Sequence, residues 1–351
     1  MDKNPNHINK HLRCQGQRIV IFMLFAVCTI CASCKHSLDV TDSQKATISP
    51  QAQKVLEDFN YARMPGFMHI KDSQIIGARA GDAAEVAKAK KYAALYGITI
   101  RRDTLGGVTV YYLTPRGNYN KNSIGFYTHG GGFVLGTGLD YTAVEFAHLL
   151  NTQVVSVDYA LAPEAKFPAA VNQCFAAYKT LAQANPTKKL YVFGASAGGT
   201  LAITTILEAR DNKIKLPVAA ALFTPMTDAT GNGDSYVAND GRDVLVWRGF
   251  IERILSDNIY FAKGTDLKNP LLSPINADYS KGFVPSILIT GTRDLLLSNT
   301  VRFHQKLKTN GVQTELLVFE GMWHSFSDNP DVPEGQQAND EVAGFLKSYL
   351  E

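Results

Sequence analysis

A serine flanked by small residues is the first feature of the sequence that suggests chemistry. Ser196 lies in the pentapeptide that runs from Gly194 to Gly198, directly after the apolar run Tyr191–Phe193 and before the helical stretch Ala197–Arg210. A G-x-S-x-G pattern between a strand and a helix is typical of a nucleophile elbow, in which a tight turn exposes the serine hydroxyl. The pattern alone would also fit a flexible loop or a phosphate-binding glycine loop, although no Lys-Ser/Thr pair follows these glycines. We predict that Ser196 is a nucleophile.

A tract of three glycines precedes the serine and supplies a second chemical signal. His129 is followed directly by Gly130, Gly131 and Gly132. Such a tract can be a loose turn, but it can also aim backbone amides at an oxygen that becomes negative when a carbonyl is attacked. We expect the amides of Gly131, Gly132 and Ala197, the residue after the serine, to form an oxyanion hole.

A general base and an orienting acid must follow the serine in the order acid, then histidine. Asp294 and His324 each come shortly after an apolar run, where loops leave the carboxyl ends of strands and α/β sheets place their sites. We predict His324 as the base and Asp294 as the acid. Asp228, which also follows an apolar run, remains an alternative acid.

The elements that must position these residues are short apolar runs alternating with helical patterns. Apolar runs predict strands at Val108–Leu113, Ile124–Thr128, Val154–Val157, Tyr191–Phe193, Ala219–Phe223, Ile287–Thr290 and Leu316–Phe319. Helical spacing predicts helices at Gln51–Phe59, Asp82–Tyr96, Ala169–Ala184, Ala197–Arg210 and Asn299–Asn310. Continuous apolar strands separated by helices indicate a mostly parallel, doubly wound α/β sheet. Residues 229–266 break this alternation and predict an insertion over the strand ends.

The front of the chain resembles a delivery signal. Residues 1–33 combine a basic start with the apolar run Ile19–Ile30, which is shorter than the roughly 18–20 residues of a membrane-spanning helix. We therefore predict a signal peptide over 1–33. The ending Ala-Ser-Cys34 resembles the lipobox of bacterial lipoproteins, which implies lipid attachment at Cys34, anchoring in the cell envelope and a polar tether over 34–49. Ordinary cleavage near Ser33, with release to the periplasm or medium, is the alternative.

Charge and cysteine usage limit the class of protein. The chain has a formal charge of +3, and residues 1–33 carry all of it, with four basic residues against one acidic residue. The remainder is neutral and gives no reason to expect a nucleic-acid partner. Cys174 is the only cysteine beyond residue 34, which excludes a disulfide framework and a multi-cysteine zinc site in the body.

The ordered motifs resemble those of one known family, the hormone-sensitive-lipase-like α/β-hydrolases, which include many bacterial carboxylesterases. The resemblance runs from about Val108 to the C-terminus. It rests on the His129–Gly132 tract, the Asp-Tyr-Ala-Leu-Ala-Pro-Glu motif at 158–164, the elbow, Asp294 and the Gly-Met-Trp-His motif at 321–324. It implies an α/β-hydrolase fold in a domain spanning 50–351, with an N-terminal helical cap over 50–107 that covers the acyl pocket.

Two positions depart from the family pattern. Ala195 stands where the family's elbow has Asp, and Ala160 stands where its Asp-Tyr-Arg-Leu-Ala-Pro-Glu motif has Arg. Neither position is the nucleophile, the base or the acid. The departures therefore bear on efficiency or fine specificity more than on the type of reaction.

Together the motifs predict a serine carboxylesterase that acts on small, uncharged esters without a metal or organic cofactor. The resemblance adds an expectation of short acyl chains. Membrane contact is expected only through the lipid anchor, and oligomeric state is not readable. An amidase or peptidase with the same three residues, and a non-catalytic surface binding lipoprotein, are the alternatives.

Overall fold

An eight-stranded sheet forms the centre of the computed structural model, which describes residues 36–38, 40–61, 71–255 and 259–351. The strands are β1 (Ile98–Leu105), β2 (Val108–Pro115), β3 (Asn120–Thr128), β4 (Thr152–Val157), β5 (Lys189–Ala195), β6 (Ala219–Phe223), β7 (Ser286–Gly291) and β8 (Thr314–Phe319). Their spatial order is β8-β7-β6-β5-β3-β4-β2-β1. β2 runs antiparallel to β1 and β4, and the other neighbours are parallel. The predicted mostly parallel sheet is confirmed.

Helices cover both faces of the sheet. They are α1 (Asp42–Lys45), α2 (Pro50–Asp58), α3 (Asp72–Ala78), α4 (Asp82–Leu95), α5 (Tyr141–Leu149), α6 (Ala169–Ala184), α7 (Ala197–Asp211), α8 (Ser235–Ala238), α9 (Arg248–Ile254), α10 (Leu297–Thr309) and α11 (Pro333–Leu350). One apolar core contains residues of α4, α5 and α11, and a second core, on the other face, contains residues of α6, α7 and α10. The sheet is therefore doubly wound, as predicted. Because parallel strands are buried on both faces, every residue of the central strand β6 is buried.

The edge strand β1 differs from the sequence prediction, which assigned residues up to 107 to the cap. Residues 98–105 instead pair antiparallel with β2 along their full length. Arg101, Arg102 and Asp103 are exposed there because one side of an edge strand faces solvent. Without a continuous apolar run, the segment gave no strand signal. The boundary predicted at 107 is therefore wrong, and the helical part ends before Ile98.

The predicted tether over 34–49 is also wrong for the part that the structure describes. Leu38 and Ile48 are buried in the same core as α5. α1 begins with a capping box at Thr41, and the backbone amide and hydroxyl of Ser49 both donate to the carboxylate of Glu334 in α11. The two apolar side chains lie in a polar sequence, so the pattern alone did not reveal that this segment packs. The predicted signal over 1–33 and Cys34 lie outside the described residues.

The predicted insertion over 229–266 contains α8 and α9 and crosses the strand ends near the loops after β7 and β8. Its residues 256–258 lie outside the described part. Among the residues that the structure describes, none of the helices is long and apolar enough to cross a membrane.

Candidate active site

Ser196 occupies the sharp turn between β5 and α7. Its backbone has φ 55° and ψ −119°, a conformation that L-residues rarely adopt. The turn is tight enough that a Cβ atom added to Gly198 would run into the carbonyl oxygens of Thr128 and His129. The small residues of the G-x-S-x-G pattern are therefore required by close backbone packing. Their conformation exposes the serine side chain at the carboxyl edge of the sheet.

Ser196, His324 and Asp294 form a continuous hydrogen-bonded chain. His324 Nε2 lies 2.8 Å from Ser196 Oγ, and His324 Nδ1 lies 2.9 Å from Asp294 Oδ1. The Asp294 carboxylate also accepts hydrogen bonds from the Thr290 hydroxyl and from the Leu296 amide. These two donors fix the orientation of the acid. The three residues, which lie far apart in sequence, meet because the loops after β5, β7 and β8 share one edge of the sheet.

The electrostatic surroundings of His324 favour its protonated form. Its side chain and that of Asp294 are buried. Burial by itself would lower the pKa of His324, but the charge and hydrogen bond of Asp294, together with the charge of Asp243, outweigh burial and raise this pKa above its ordinary value of 6.5. A histidine in this setting can accept a proton from the serine hydroxyl while Asp294 holds its other nitrogen.

The glycine tract lies directly against the elbow. A Cβ atom added to Gly130 would sit 3.2 Å from the Ala195 carbonyl oxygen and 3.5 Å from Ser196 Cβ. Gly131 and Gly132 have positive φ angles of 103° and 62°. In the described part of the chain, neither of their amides donates a hydrogen bond.

The amide of Ala197, the residue after the serine, likewise has no acceptor among the described residues. The site thus offers three backbone donors without partners, at the positions where sequence reasoning expected an oxyanion hole.

The loop that carries the Asp-Tyr-Ala-Leu-Ala-Pro-Glu motif packs against His129, at the start of the glycine tract. The Tyr159 hydroxyl donates to the His129 carbonyl at 2.8 Å, and the two rings stack with centroids 4.1 Å apart. Burial lowers the pKa of His129 to about 4, so the stacked imidazole is neutral at ordinary pH. His129 thus packs against Tyr159 and has a structural role, whereas the sequence identified it only as part of the glycine motif.

Arg79, which lies in the cap between α3 and α4, binds the loop after the glycine tract and the loop of the 158–164 motif. It donates to the carbonyl oxygens of Val134 and Ala162 and makes a bidentate pair with Glu164. Asp82 adds a bond by accepting from the Gly136 amide at 3.1 Å. Nothing in the sequence around Arg79 pointed to this role, because its partners lie in two distant loops.

The alternative acid Asp228 is not brought to His324. Its carboxylate accepts hydrogen bonds from the Thr230 amide and hydroxyl and pairs with Arg302 at 2.9 Å. The residue stabilises a turn at the start of the insertion. Asp294 is therefore the acid that the geometry supports.

Sequence reasoning missed Asp243, a buried carboxylate behind the acid and the base. It accepts hydrogen bonds from the amides of Leu295 and His324. Asn239, on the same segment, donates to the carbonyl of Asp294 at 2.8 Å. No motif marks either residue, and only their position in the insertion, which the sequence did identify, could have drawn attention to them.

The aromatic residues of the insertion cover the glycine tract. Tyr260 stacks on Phe133 with ring centroids 3.9 Å apart, and both are buried. Ile254 of α9 approaches Gly132, where an added Cβ would lie 3.1 Å from the isoleucine Cδ1. These side chains thus pack the insertion on the loop that carries the glycine tract. Cys174 is a buried residue of α6, and burial raises the pKa of its thiol.

In the described ranges, one group of side chains has the spacing of metal ligands: Asp243, Asp294 and His324, with ligand atoms within 4.8 Å of one another. Both oxygens of Asp243 already accept backbone amides, and His324 Nδ1 faces Asp294. The group is a hydrogen-bonded acid and base pair with a supporting carboxylate, and a cation there would have to displace these bonds.

Comparison with known proteins agrees with this fold. A protein-family model described as alpha/beta hydrolase fold matches residues 125–328, and the chain belongs to this family. An esterase of Acinetobacter venetianus is 30% identical over 64% of this chain and 74% of its own length. The carboxylesterase NlhH of Mycobacterium tuberculosis is 30% identical over 72% of this chain and 82% of its own length. The crystal structure of an esterase superposes with a TM-score of 0.77 at 31% identity, covering 89% of this chain and 98% of that one.

Proposed function

We propose that this protein is a serine carboxylesterase that hydrolyses small, uncharged esters through an acyl-enzyme on Ser196. The observation that carries the proposal is the unbroken chain from Ser196 Oγ to His324 Nε2, at 2.8 Å, and from His324 Nδ1 to Asp294, at 2.9 Å. Family membership and relatives named esterase, acetyl-hydrolase and carboxylesterase support the class, and the chain is a carboxylic ester hydrolase.

The geometry accounts for each step of the proposed reaction. Ser196 attacks the ester carbonyl while His324 takes its proton, and Asp294 holds the imidazole in the tautomer whose Nε2 can accept that proton. The amides of Gly131, Gly132 and Ala197 donate to the oxyanion that forms. His324 then gives its proton to the leaving alcohol, and the acyl group stays on Ser196. Water next attacks this acyl-enzyme with His324 again as the base, which releases the carboxylic acid and restores Ser196. All of these groups belong to the chain itself.

Features around the site support small and uncharged substrates. The mature body is neutral by residue count, and the packing of Phe133 and Tyr260 fills space beside the glycine tract. We therefore expect turnover of acetyl and butyryl esters to exceed that of long acyl esters. A series of p-nitrophenyl esters from acetate to palmitate measures this preference, and higher kcat/KM for palmitate than for butyrate would contradict it.

The mutation Ser196→Ala tests the proposed mechanism. It removes the nucleophile and should lower kcat on p-nitrophenyl butyrate by ~10³-fold or more. Ser325→Ala is a matched control, because Ser325 follows His324 in sequence but is not part of the hydrogen-bonded chain. Its Oγ instead lies 3.5 Å from Thr224 Oγ1. Undiminished turnover in Ser196→Ala would refute the assignment.

The two alternatives are separated by simple substrates and probes. An amidase or peptidase would cleave p-nitroanilides with kcat/KM comparable to that for the matching esters, whereas an esterase should strongly prefer the ester. A non-catalytic binding protein needs no intact nucleophile, base and acid, and it would not react with a fluorophosphonate. The complete chain of hydrogen bonds favours catalysis over that alternative.

We further propose that the protein is exported and held in the cell envelope by a lipid on Cys34. The apolar run and the Ala-Ser-Cys sequence support this. Since His36–Ser37 already pair with Asn60–Tyr61 and Leu38 is buried, such an anchor would hold the enzyme close to the membrane surface. Globomycin should block signal processing and Cys34→Ala should abolish lipid attachment. Mass spectrometry of an unmodified mature N-terminus would refute the anchor.

A further inference from the structure

Asp243 is a buried carboxylate that joins three segments around the candidate active site. Its Oδ2 accepts hydrogen bonds from the amide of Leu295 at 2.9 Å and from the amide of His324 at 3.1 Å. Its Oδ1 accepts from the amides of Leu245 at 2.8 Å and Val246 at 3.2 Å. With only 3% of its surface exposed, the side chain ties the acid loop, the base loop and the insertion to one point.

Two of these hydrogen bonds hold the backbone of the acid and the backbone of the base, whose separation sets the Asp294–His324 contact. Leu295 directly follows Asp294, and the other amide belongs to His324 itself. A single carboxylate oxygen therefore holds the backbone of the acid and the backbone of the base at a fixed distance. Because a misplacement of about 1 Å can cost ~10²-fold in rate, a clamp at this point bears directly on the Asp294–His324 contact.

Asp243 also brings a second negative charge close to His324. The charged groups that face it are Asp294, from the loop after β7, and His324, from the loop after β8. Arg293 donates through Nε to the carbonyl of Arg242, the neighbour of Asp243. Burial, together with repulsion by Asp294, raises the pKa of Asp243 to about 6. The charge of His324 and the hydrogen bonds from the backbone amides lower this pKa, but their effect is smaller. Above that pH two carboxylates stabilise the imidazolium.

We propose that Asp243 is a positioning residue for the acid and base pair, which fixes their two loops relative to each other and favours the positive charge on His324. Among the described residues, no hydrogen bond joins this carboxylate to Ser196, so it acts through Asp294 and His324. This inference rests on the proposed function, since it assigns a role in the same reaction. It is distinct from the roles of the three residues that resemblance to the family assigns.

The variant Asp243→Asn separates charge from size. It keeps the shape of the side chain and one oxygen acceptor, but it removes the negative charge and places an NH2 donor against two of the four backbone amides that Asp243 binds. We expect kcat to fall by about 10-fold with KM changed less than about twofold. The acid limb of the kcat/KM profile should move to lower pH by about one unit, because a carboxylate that favours the imidazolium is lost. Rates are expressed per active site titrated with a fluorophosphonate, so that unfolded protein is not counted.

Two further variants identify the cause. Asp243→Glu restores the charge on a longer side chain, so its acid limb should return toward that of the wild type while kcat stays low. Asp140→Asn is the matched control, because Asp140 is a half-buried aspartate that likewise accepts a backbone amide, but it caps α5. It should leave the acid limb unchanged even where it alters the melting temperature. If Asp243→Asn does not fold, Asp243→Ser, which leaves room for water, gives the same two readouts.

The inference is overturned if the Asp243→Asn profile superimposes on that of the wild type with an equal kcat. The same holds if the Asp140→Asn control moves the acid limb as far as Asp243→Asn does, because the effect would then be a general consequence of changing an aspartate that accepts a backbone amide. Failure of the proposed function is a separate outcome: it would appear as ester hydrolysis that persists in Ser196→Ala, whatever the Asp243 variants do.

Discussion

The His324 imidazole sets the pH range in which the proposed nucleophile can work. It must be neutral to accept the serine proton, and its pKa is raised above 6.5 because Asp294 and Asp243 outweigh the effect of burial. Activity should therefore be lost as pH falls through this raised value. His129 shows the opposite behaviour, because burial outweighs its hydrogen bond to Gly130 and the charge of Asp158 and lowers its pKa to about 4.

The expected outcome is a kcat/KM profile on an uncharged ester whose acid limb is half-maximal above pH 6.5. The uncharged substrate does not titrate, so the limb reports the free enzyme. Chromatographic detection of the alcohol avoids the pH-dependent colour of p-nitrophenol. A limb centred below pH 6.5, or a flat profile down to pH 5, would contradict the electrostatic account of His324.

Residues of the site differed in how well the sequence could predict them. Ser196, Asp294 and His324 each follow a strand, and their order along the chain was enough to predict the nucleophile, the acid and the base from the sequence. Asp243 and Arg79 could not be found in this way, because each acts on loops that are distant in sequence and neither lies in a recognisable motif. Supporting residues are defined by the contacts they make, and these contacts appear only in the folded chain.

At the scale of elements, the cap is hydrogen-bonded and ion-paired to two loops that carry proposed catalytic groups. Arg79 and Asp82 bind the segment after the glycine tract. Lys88 of α4 pairs with Asp328 at 3.0 Å, just beyond His324. The cap thus holds the loop that follows the glycine tract and the loop that follows His324.

Arg79→Ala should lower kcat on p-nitrophenyl butyrate by about 10-fold, because the loop that follows Gly132 loses its bonds to the cap. Arg210→Ala is a matched control. Arg210 is similarly buried, and it donates to the carbonyl oxygens of Asp278 and Gly282 away from the site. Steady-state kinetics on both variants test the idea, and equal kcat values for the two would show that the cap contact does not support catalysis.

Four residues with strained backbones mark the element boundaries around the site. Among the described residues, non-glycine positions with positive φ include four near the site. Phe133 lies in the loop after β3, Ser196 and Thr224 directly follow β5 and β6, and Ser325 directly follows His324. Central strands were predictable because their apolar runs are continuous. Strand β1 was not, because its exposed charged residues conceal the pattern, and the short cap helix α3 has too few apolar positions to be distinguished from a loop.

At the scale of the whole molecule, a partly buried polar cluster at the start of α5 makes stability depend on pH. Asp140 caps α5 and accepts a hydrogen bond from Tyr127. Burial, with repulsion from Asp328, raises the pKa of Asp140 from 3.8 to about 7. Between these two values the folded state binds more protons than the unfolded state, so the free energy of unfolding contributed by this group falls as pH rises.

Asp140→Asn should therefore reduce the loss of stability between about pH 5 and pH 8. The amide does not titrate, and asparagine is an equally good helix cap. Urea unfolding at the two pH values measures the difference, and the exposed Asp72→Asn serves as control. An equal loss of stability in wild type and Asp140→Asn would contradict the assignment of this group.

The most direct test of the account is covalent labelling of the intact protein by a fluorophosphonate, followed by peptide mass spectrometry. The account predicts one adduct on Ser196, with loss of ester hydrolysis in proportion to labelling, and no adduct in Ser196→Ala. An unlabelled protein, or an adduct on another serine that accompanies the loss of hydrolysis, would contradict it.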